Sequence, residues 1–419
     1  MKVLVLLLLS FSAFANLDKA PPSFKINKLN AVYMDINNAH SHLYFDMAKR
    51  EIIATTTLEF TTRELGQPLF DLVPEIISAE LDGVAVNIKE ISSPENTTEM
   101  RMIDKVVEAG SHKLIIKNEI TTNARINSNS IDIAFWMSDL TDRRYLERYI
   151  PANFEFDQYA LELELSFSKI TVDRHDIFTN GMLSEVSPNH YKINFPEYFT
   201  ASSYYFHMVK KDRFPAIRTH FMSIDGRKIP MTIYSGSSWS LSSAERNARK
   251  VLAELESILG AWGHPSLTIY IAGSGGMEYS GATITSMSAL GHELTHSYFA
   301  RGVMPVRGNS GWIDEAIASW RDDGYRTRST PGFRTTSMGA HSVYRRHTDR
   351  KAYDQGADFM EYLNHKLSAQ GGLKAFLKDV YSHKLHHTIT TKNLQNMLES
   401  YSGIDFSGDF KQYILGGSK

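Results

Sequence analysis

The stretch SMSALGHELTHSYFA, residues 286–300, sets apolar residues at helical spacing around His292-Glu293-Leu294-Thr295-His296, an HExxH pattern. On a helix, positions i and i+4 lie about 40° apart around the axis, so His292 and His296 present two imidazoles to one ion. Glu293 then sits beside that ion without having to ligate it. A catalytic zinc takes a third protein ligand and keeps a fourth position open for water. Glu315 supplies a carboxylate at the opening of the next helical segment, Gly311-Trp312-Ile313-Asp314-Glu315-Ala316, with eighteen residues between it and His296. Read instead as polar residues on an exposed helix, two histidines and a glutamate at this spacing have no packing advantage.

Composition narrows what such a centre serves. The chain has 419 residues and no cysteine, which excludes disulfides, thiolate zinc sites and cysteine nucleophiles, so a metal must be held by imidazole and carboxylate. A formal charge of −2 spreads no basic field for nucleic acid or anionic lipid. Residues 1–15, MKVLVLLLLSFSAFA, combine Lys2, an apolar run and the triplet Ala13-Phe14-Ala15, which reads as a secretory signal cleaved before Asn16. The run is too short to span a membrane, which takes about 20 apolar residues, and no second long apolar stretch follows. The expectation is a mature protein without a transmembrane segment, exported to a periplasm or secreted.

Organisation changes along the chain. Residues 52–60 (IIATTTLEF), 112–117 (HKLIIK) and 160–167 (ALELELSF) alternate apolar and polar residues, the period of half-buried strands. Residues 16–213 therefore read as an N-terminal antiparallel β domain, sandwich-like. Beyond Pro215 the period becomes helical. Residues 242–259 have Ser242 or Ser243 as cap and Gly260 past the end, and further helices are expected near 286–300, 312–325, 353–367, 373–382 and 391–401. A strand is expected at 267–272. Residues 214–419 form the second, mostly helical domain of an α+β multidomain chain.

The spacing from His292 through Glu315 resembles the signature of the aminopeptidase N and leukotriene A4 hydrolase family of zinc metallopeptidases, the gluzincins. Upstream, Gly275-Gly276-Met277-Glu278-Tyr279 is similar to that family's Gly-x-Met-Glu-Asn substrate loop. Downstream, Tyr353-Asp354-Gln355-Gly356 resembles its Tyr-Glu-Lys-Gly segment. The likeness is strong over 265–360 and weak elsewhere. It implies a thermolysin-like catalytic domain, one zinc per chain on His292, His296 and Glu315, and Glu293 as general base to a zinc-activated water. It also implies Tyr353 as oxyanion donor, Glu278 as anchor of the substrate's free α-amine, and a peptide aligned by Gly275, Gly276 and Met277. Asp142 stands where relatives carry a second amine-holding residue.

Three departures accompany the likeness: Tyr279 replaces the loop's Asn, the intervals from Glu278 to His292 and from Glu315 to Tyr353 are short, and no residues remain for the family's large helical C-terminal domain. A short form with a more open cleft is the expectation. The implied function is a zinc aminopeptidase acting on peptides with a free N-terminus. The alternatives are a zinc endopeptidase with an open cleft and a catalytically silent peptide-binding module, whose mark would be a lost ligand or a replaced Glu293. The basic stretch 326–351 reads as a solvated loop, with a role in holding a peptide carboxylate as the alternative.

Overall fold

A computed structural model describes residues 19–168, 174–237, 239–306 and 308–417. The signal expected at 1–15 lies outside the described residues.

The alternation in Ala160–Phe167 shows how the first half is built. Leu161, Leu163 and Leu165 are buried, while Glu162 and Glu164 face the other side of the sheet. This strand lies in an eight-stranded sheet ordered Met182–Ser187, His190–Phe195, Ala160–Phe167, Asp35–Asp46, Glu51–Thr62, Gly110–Glu119, Ile76–Leu81 and Val84–Ala85. The expectation of an antiparallel domain holds except at two pairs: in this sheet Ala160–Phe167 runs parallel to Asp35–Asp46, and in the five-stranded sheet Leu29–Tyr33 runs parallel to Gln67–Phe70. Parallel neighbours need a long crossover, and for the first of these pairs more than a hundred residues of other strands supply it. Five-stranded and four-stranded sheets complete this half. The inner faces meet in one core, where Leu43, Leu58, Phe60, Leu114, Leu163 and Phe206 are fully buried. Each such side chain contributes roughly 1.5–3 kcal/mol by leaving water.

That core also takes in Tyr234, Met277, Tyr279 and Ala282 from the second half, so the edge of the later sheet is packed against the first half. The later sheet is mixed and ordered Ala216–Met222, Lys228–Ser235, Leu267–Ile271, Ala282–Thr285 and Met277–Tyr279. Helix α1 (Leu241–Leu259) crosses between the parallel strands Lys228–Ser235 and Leu267–Ile271. It is followed by α2 (Leu290–His296), α3 (Trp312–Asp322), α4 (Lys351–Lys366), α5 (Gly372–Lys384), α6 (Thr391–Ser402) and α7 (Ser407–Tyr413). Their apolar faces close around Leu255, Leu294, Trp312, Trp320, Phe359 and Phe376. No described helix is long and apolar enough to cross a membrane.

Two expected helix starts are corrected. Ser240, rather than Ser242 or Ser243, caps α1 by accepting the Ser243 amide. Helix α2 opens at Leu290 rather than at 286, because Ser286 Oγ accepts the Ala289 amide and holds the serine-rich approach in a turn.

Candidate metal centre

Helix α2 carries His292 and His296 on one face, and α3 brings Glu315 across from them. Glu315 Oε2 lies 3.1 Å from His292 Nε2 and 3.4 Å from His296 Nε2. The three donor atoms all fall within 4.8 Å of one another. Tetrahedral donors at about 2.0–2.1 Å from zinc stand roughly 3.3 Å apart, so both carboxylate-to-imidazole separations fit that ion. The outer nitrogens are held as well. His292 Nδ1 is 2.8 Å from Asp322 Oδ2, and His296 Nδ1 is 3.3 Å from the Phe299 carbonyl. Such partners fix the tautomer that leaves Nε2 free to ligate. Asp322, seven residues past Glu315 on the same helix, was not singled out in the sequence; the i+7 spacing on α3 is the signal that points to it.

The imidazoles and the carboxylate set one another's charge. Burial depresses His292, but the hydrogen bonds to Asp322 and Glu315 outweigh it and hold the ring at about 9. Burial also opposes charge on His296, yet Glu315 and Glu278 carry it well above its ordinary value. Glu315 is held well below the usual carboxylate range, the two imidazoles overcoming its burial.

Helix α3 is itself positioned by α4. Gly356 rests on Ala316, where a Cβ would stand 2.7 Å from the Ala316 methyl. That close approach puts Tyr353, one turn earlier on α4, beside Glu315, and its hydroxyl donates to Glu315 Oε1 at 2.7 Å. Glu293 is only 6% exposed, and burial, reinforced by Glu278, pushes it up to about 8 against the pull of His296. Gly276 makes room for it: a Cβ there would lie 1.9 Å from Glu293 Oε1. Gly276→Ala should therefore displace the Glu293 carboxylate while leaving all three donors in place. The expected result is at least a tenfold loss of turnover with undiminished zinc content, checked by peptidase assay and metal analysis on one preparation.

Gly275 turns the chain with φ +72° just before this point. The Met277 side chain is 3% exposed and packs in the large core, which leaves its backbone as the part that faces a peptide. Glu278 is buried and receives the Arg301 Nη2 donor at 2.6 Å on Oε1. Arg301 also approaches Glu155 at 3.6 Å and donates to Ser202 Oγ, so a buried guanidinium ties two carboxylates together. Burial opposes its charge, but Glu278 and Glu155 raise it above its ordinary value. Glu278, Glu155 and Arg301 line a cavity of about 30 Å³ with Asp139, Tyr145 and Asp314.

Asp142 does not join them. Both its oxygens lie within 2.8 Å of Thr98 Oγ1, and it is not among the residues that line the cavity. The acid beside Glu278 is Asp139, which hydrogen-bonds Glu315 and is raised well above its ordinary value by burial and by the charges of Glu278 and Glu315. The loop explains the exchange. Ser138 donates its amide to the Arg144 carbonyl, which closes residues 138–144 into a tongue with Asp139 at its base and Asp142 near its tip. Tyr279 then docks the base: its buried hydroxyl accepts the Met137 amide at 3.1 Å and faces the Phe135 carbonyl at 3.2 Å. The residue that departs from the substrate-loop pattern thus joins the strand carrying Glu278 to the segment carrying Asp139. In the basic stretch, Arg346 is committed to Asp71 at 2.6 Å.

The geometry can be set beside solved structures. The yeast leukotriene A4 hydrolase superposes with a TM-score of 0.62 at 12% identity, covering 91% of this chain and 68% of that one. An M1 zinc metallopeptidase mutant from Deinococcus radiodurans, bound to a Tyr-Ser-Ala substrate, gives 0.61 at 12% identity, covering 88% of this chain and 91% of that one. This chain has the M1 zinc metallopeptidase fold. Legionella pneumophila aminopeptidase A, in complex with aspartic acid, gives 0.68 at 10% identity, and there the M1 fold match covers 92% of this chain but 50% of that one. No family profile matches the sequence, and no curated protein sequence does.

Proposed function

We propose that this chain is a zinc-dependent aminopeptidase that removes N-terminal residues from peptides. The observation that carries the reading is the pair of carboxylates, buried Glu278 and half-buried Asp139, that line one cavity, with Asp139 also bonded to Glu315 of the His292, His296 and Glu315 donor set. An ammonium held between two acids fixes the chain's first residue, so the bond presented to the metal centre is the first peptide bond. When bound on the three donors, zinc supplies Lewis-acid polarisation of the carbonyl and activation of water. Glu293 takes a proton from the attacking water and passes it to the leaving amine. Tyr353 releases Glu315 Oε1 and turns its one hydroxyl proton to the charge that develops on the substrate's carbonyl oxygen. Arg301 fixes one oxygen of Glu278 and leaves the other for the ammonium. The signal-like leader supports a place of action in a periplasm or outside the cell.

The test is hydrolysis of free-amine aminoacyl fluorogenic substrates beside an N-acetylated peptide, in the wild type and in Asp139→Asn. The amide keeps the shape and removes the charge. KM for the free-amine substrates should rise roughly ten- to a hundredfold, the equivalent of about 1.5–3 kcal/mol for a hydrogen bond to a charged group. The N-acetylated peptide should not be cut. Its efficient cleavage would assign an endopeptidase instead, and silence on both substrates with zinc bound would assign a binding module.

A further inference from the structure

The outer face of the eight-stranded sheet carries a second grouping of donors that the peptidase reading does not use. Parallel pairing sets Glu162 opposite His40 and Glu164 opposite His42, all pointing away from the core. His40 Nε2 lies 3.1 Å from Glu164 Oε2 and 3.3 Å from Glu162 Oε1. One ring nitrogen carries one proton at most and cannot donate well to both. The separations match those in the HExxH centre, 3.1 and 3.4 Å, and the edge of a tetrahedron of donors about 2.0–2.1 Å from zinc. The far oxygen of Glu164 is held by His190 Nε2 at 2.5 Å, the outer hydrogen bond that orients a ligating carboxylate. All four residues project from strands, which hold their spacing better than loops.

We propose that His40, Glu162 and Glu164 form a second zinc site, with His190 as its orienting partner. An imidazole with two carboxylates suits zinc and its transition-metal neighbours better than calcium or magnesium, which favour all-oxygen shells. Lys192, with Nζ 2.7 Å from Glu162 Oε1, is the built-in competitor. Its side chain is about one-third exposed and swings into water when the ion enters. His42 is engaged with Ser166 Oγ at 2.6 Å and stays outside the donor set. The ion would clamp the one parallel pair of this sheet, joining strands more than a hundred residues apart.

The experiment is zinc content of the full chain after dialysis against a series of zinc buffers, with thermal melting at each step. Wild type should take up one more equivalent than His40→Ala, and that equivalent should raise the melting temperature. His190→Ala should weaken it about 10- to 100-fold, the usual cost of losing an orienting partner. Lys192→Met should tighten it, a gain that misfolding cannot mimic. The count is read as a difference between variants, so it stands whether or not the HExxH centre binds zinc. Equal zinc content in wild type and His40→Ala, or no tightening in Lys192→Met, would overturn the second site.

Discussion

Glu293→Gln should leave zinc content unchanged and lower turnover by about 10²- to 10⁴-fold, the range that a positioned general base contributes. The substitution is nearly isosteric, Gly276 already provides the space against which the side chain lies, and neither the three donors nor their outer partners are touched. What is lost is the ability to accept a proton. The wild-type carboxylate is suited to that task because it is buried and pushed upward, which brings its proton affinity closer to that of the water it must deprotonate. The check is kcat on a free-amine substrate together with metal analysis and a melting curve. Near wild-type turnover would refute the assigned base. Lost turnover accompanied by lost zinc would point to damaged ligation instead.

How much of this was readable beforehand follows from what each signal depends on. Strict alternation is local, and the strand at Ala160–Phe167 has the bounds its pattern predicts. The helical spacing of His292 and His296 is local too, and Glu315 follows at a distance fixed by one connection and one helix start. Pairing order is not local. Nothing in residues 160–167 says that they will run parallel to Asp35–Asp46, since that depends on how the intervening strands are used elsewhere. The exchange of Asp142 for Asp139 has the same origin. A likeness along the sequence carries no information on the path of a loop, whereas the Ser138 to Arg144 closure folds it into a tongue that sets Asp139 rather than Asp142 at the cavity. Arg301 was invisible for a further reason: a lone arginine after a helix gains meaning only when Glu278 and Glu155 meet it in space. Tyr279 looked like a departure from a pattern, and its hydroxyl bonds to residues 135 and 137 show what it does in this chain. Helix α7 escaped because seven residues are too few for a periodic signal.

Removing zinc should abolish hydrolysis, and its return should become steeply easier as pH rises. Without the ion, His292 is held at about 9 and His296 well above its ordinary value, so both rings carry protons at pH 7 and Glu315 answers them with its charge. Zinc takes only the neutral rings and must displace those protons. Each displaced proton changes the apparent Kd tenfold per pH unit, which gives up to about a hundredfold between pH 7 and 8 and a flattening above pH 9. Asp139, Asp314 and Glu293, all raised by burial, are drawn toward ionisation by the same positive charge and add to the release. The sign for stability is fixed by the same shifts. A histidine whose folded pKa is raised stabilises the metal-free fold fully below the unfolded value of about 6.5, and that contribution is lost as pH rises through about 9. The zinc-loaded protein has no such protons to lose. The gap in melting temperature between loaded and metal-free protein should therefore widen from pH 6.5 to 9. Chelator competition and melting curves across that range measure both quantities, and an affinity that does not change with pH would show that the imidazoles are not protonated in the metal-free protein.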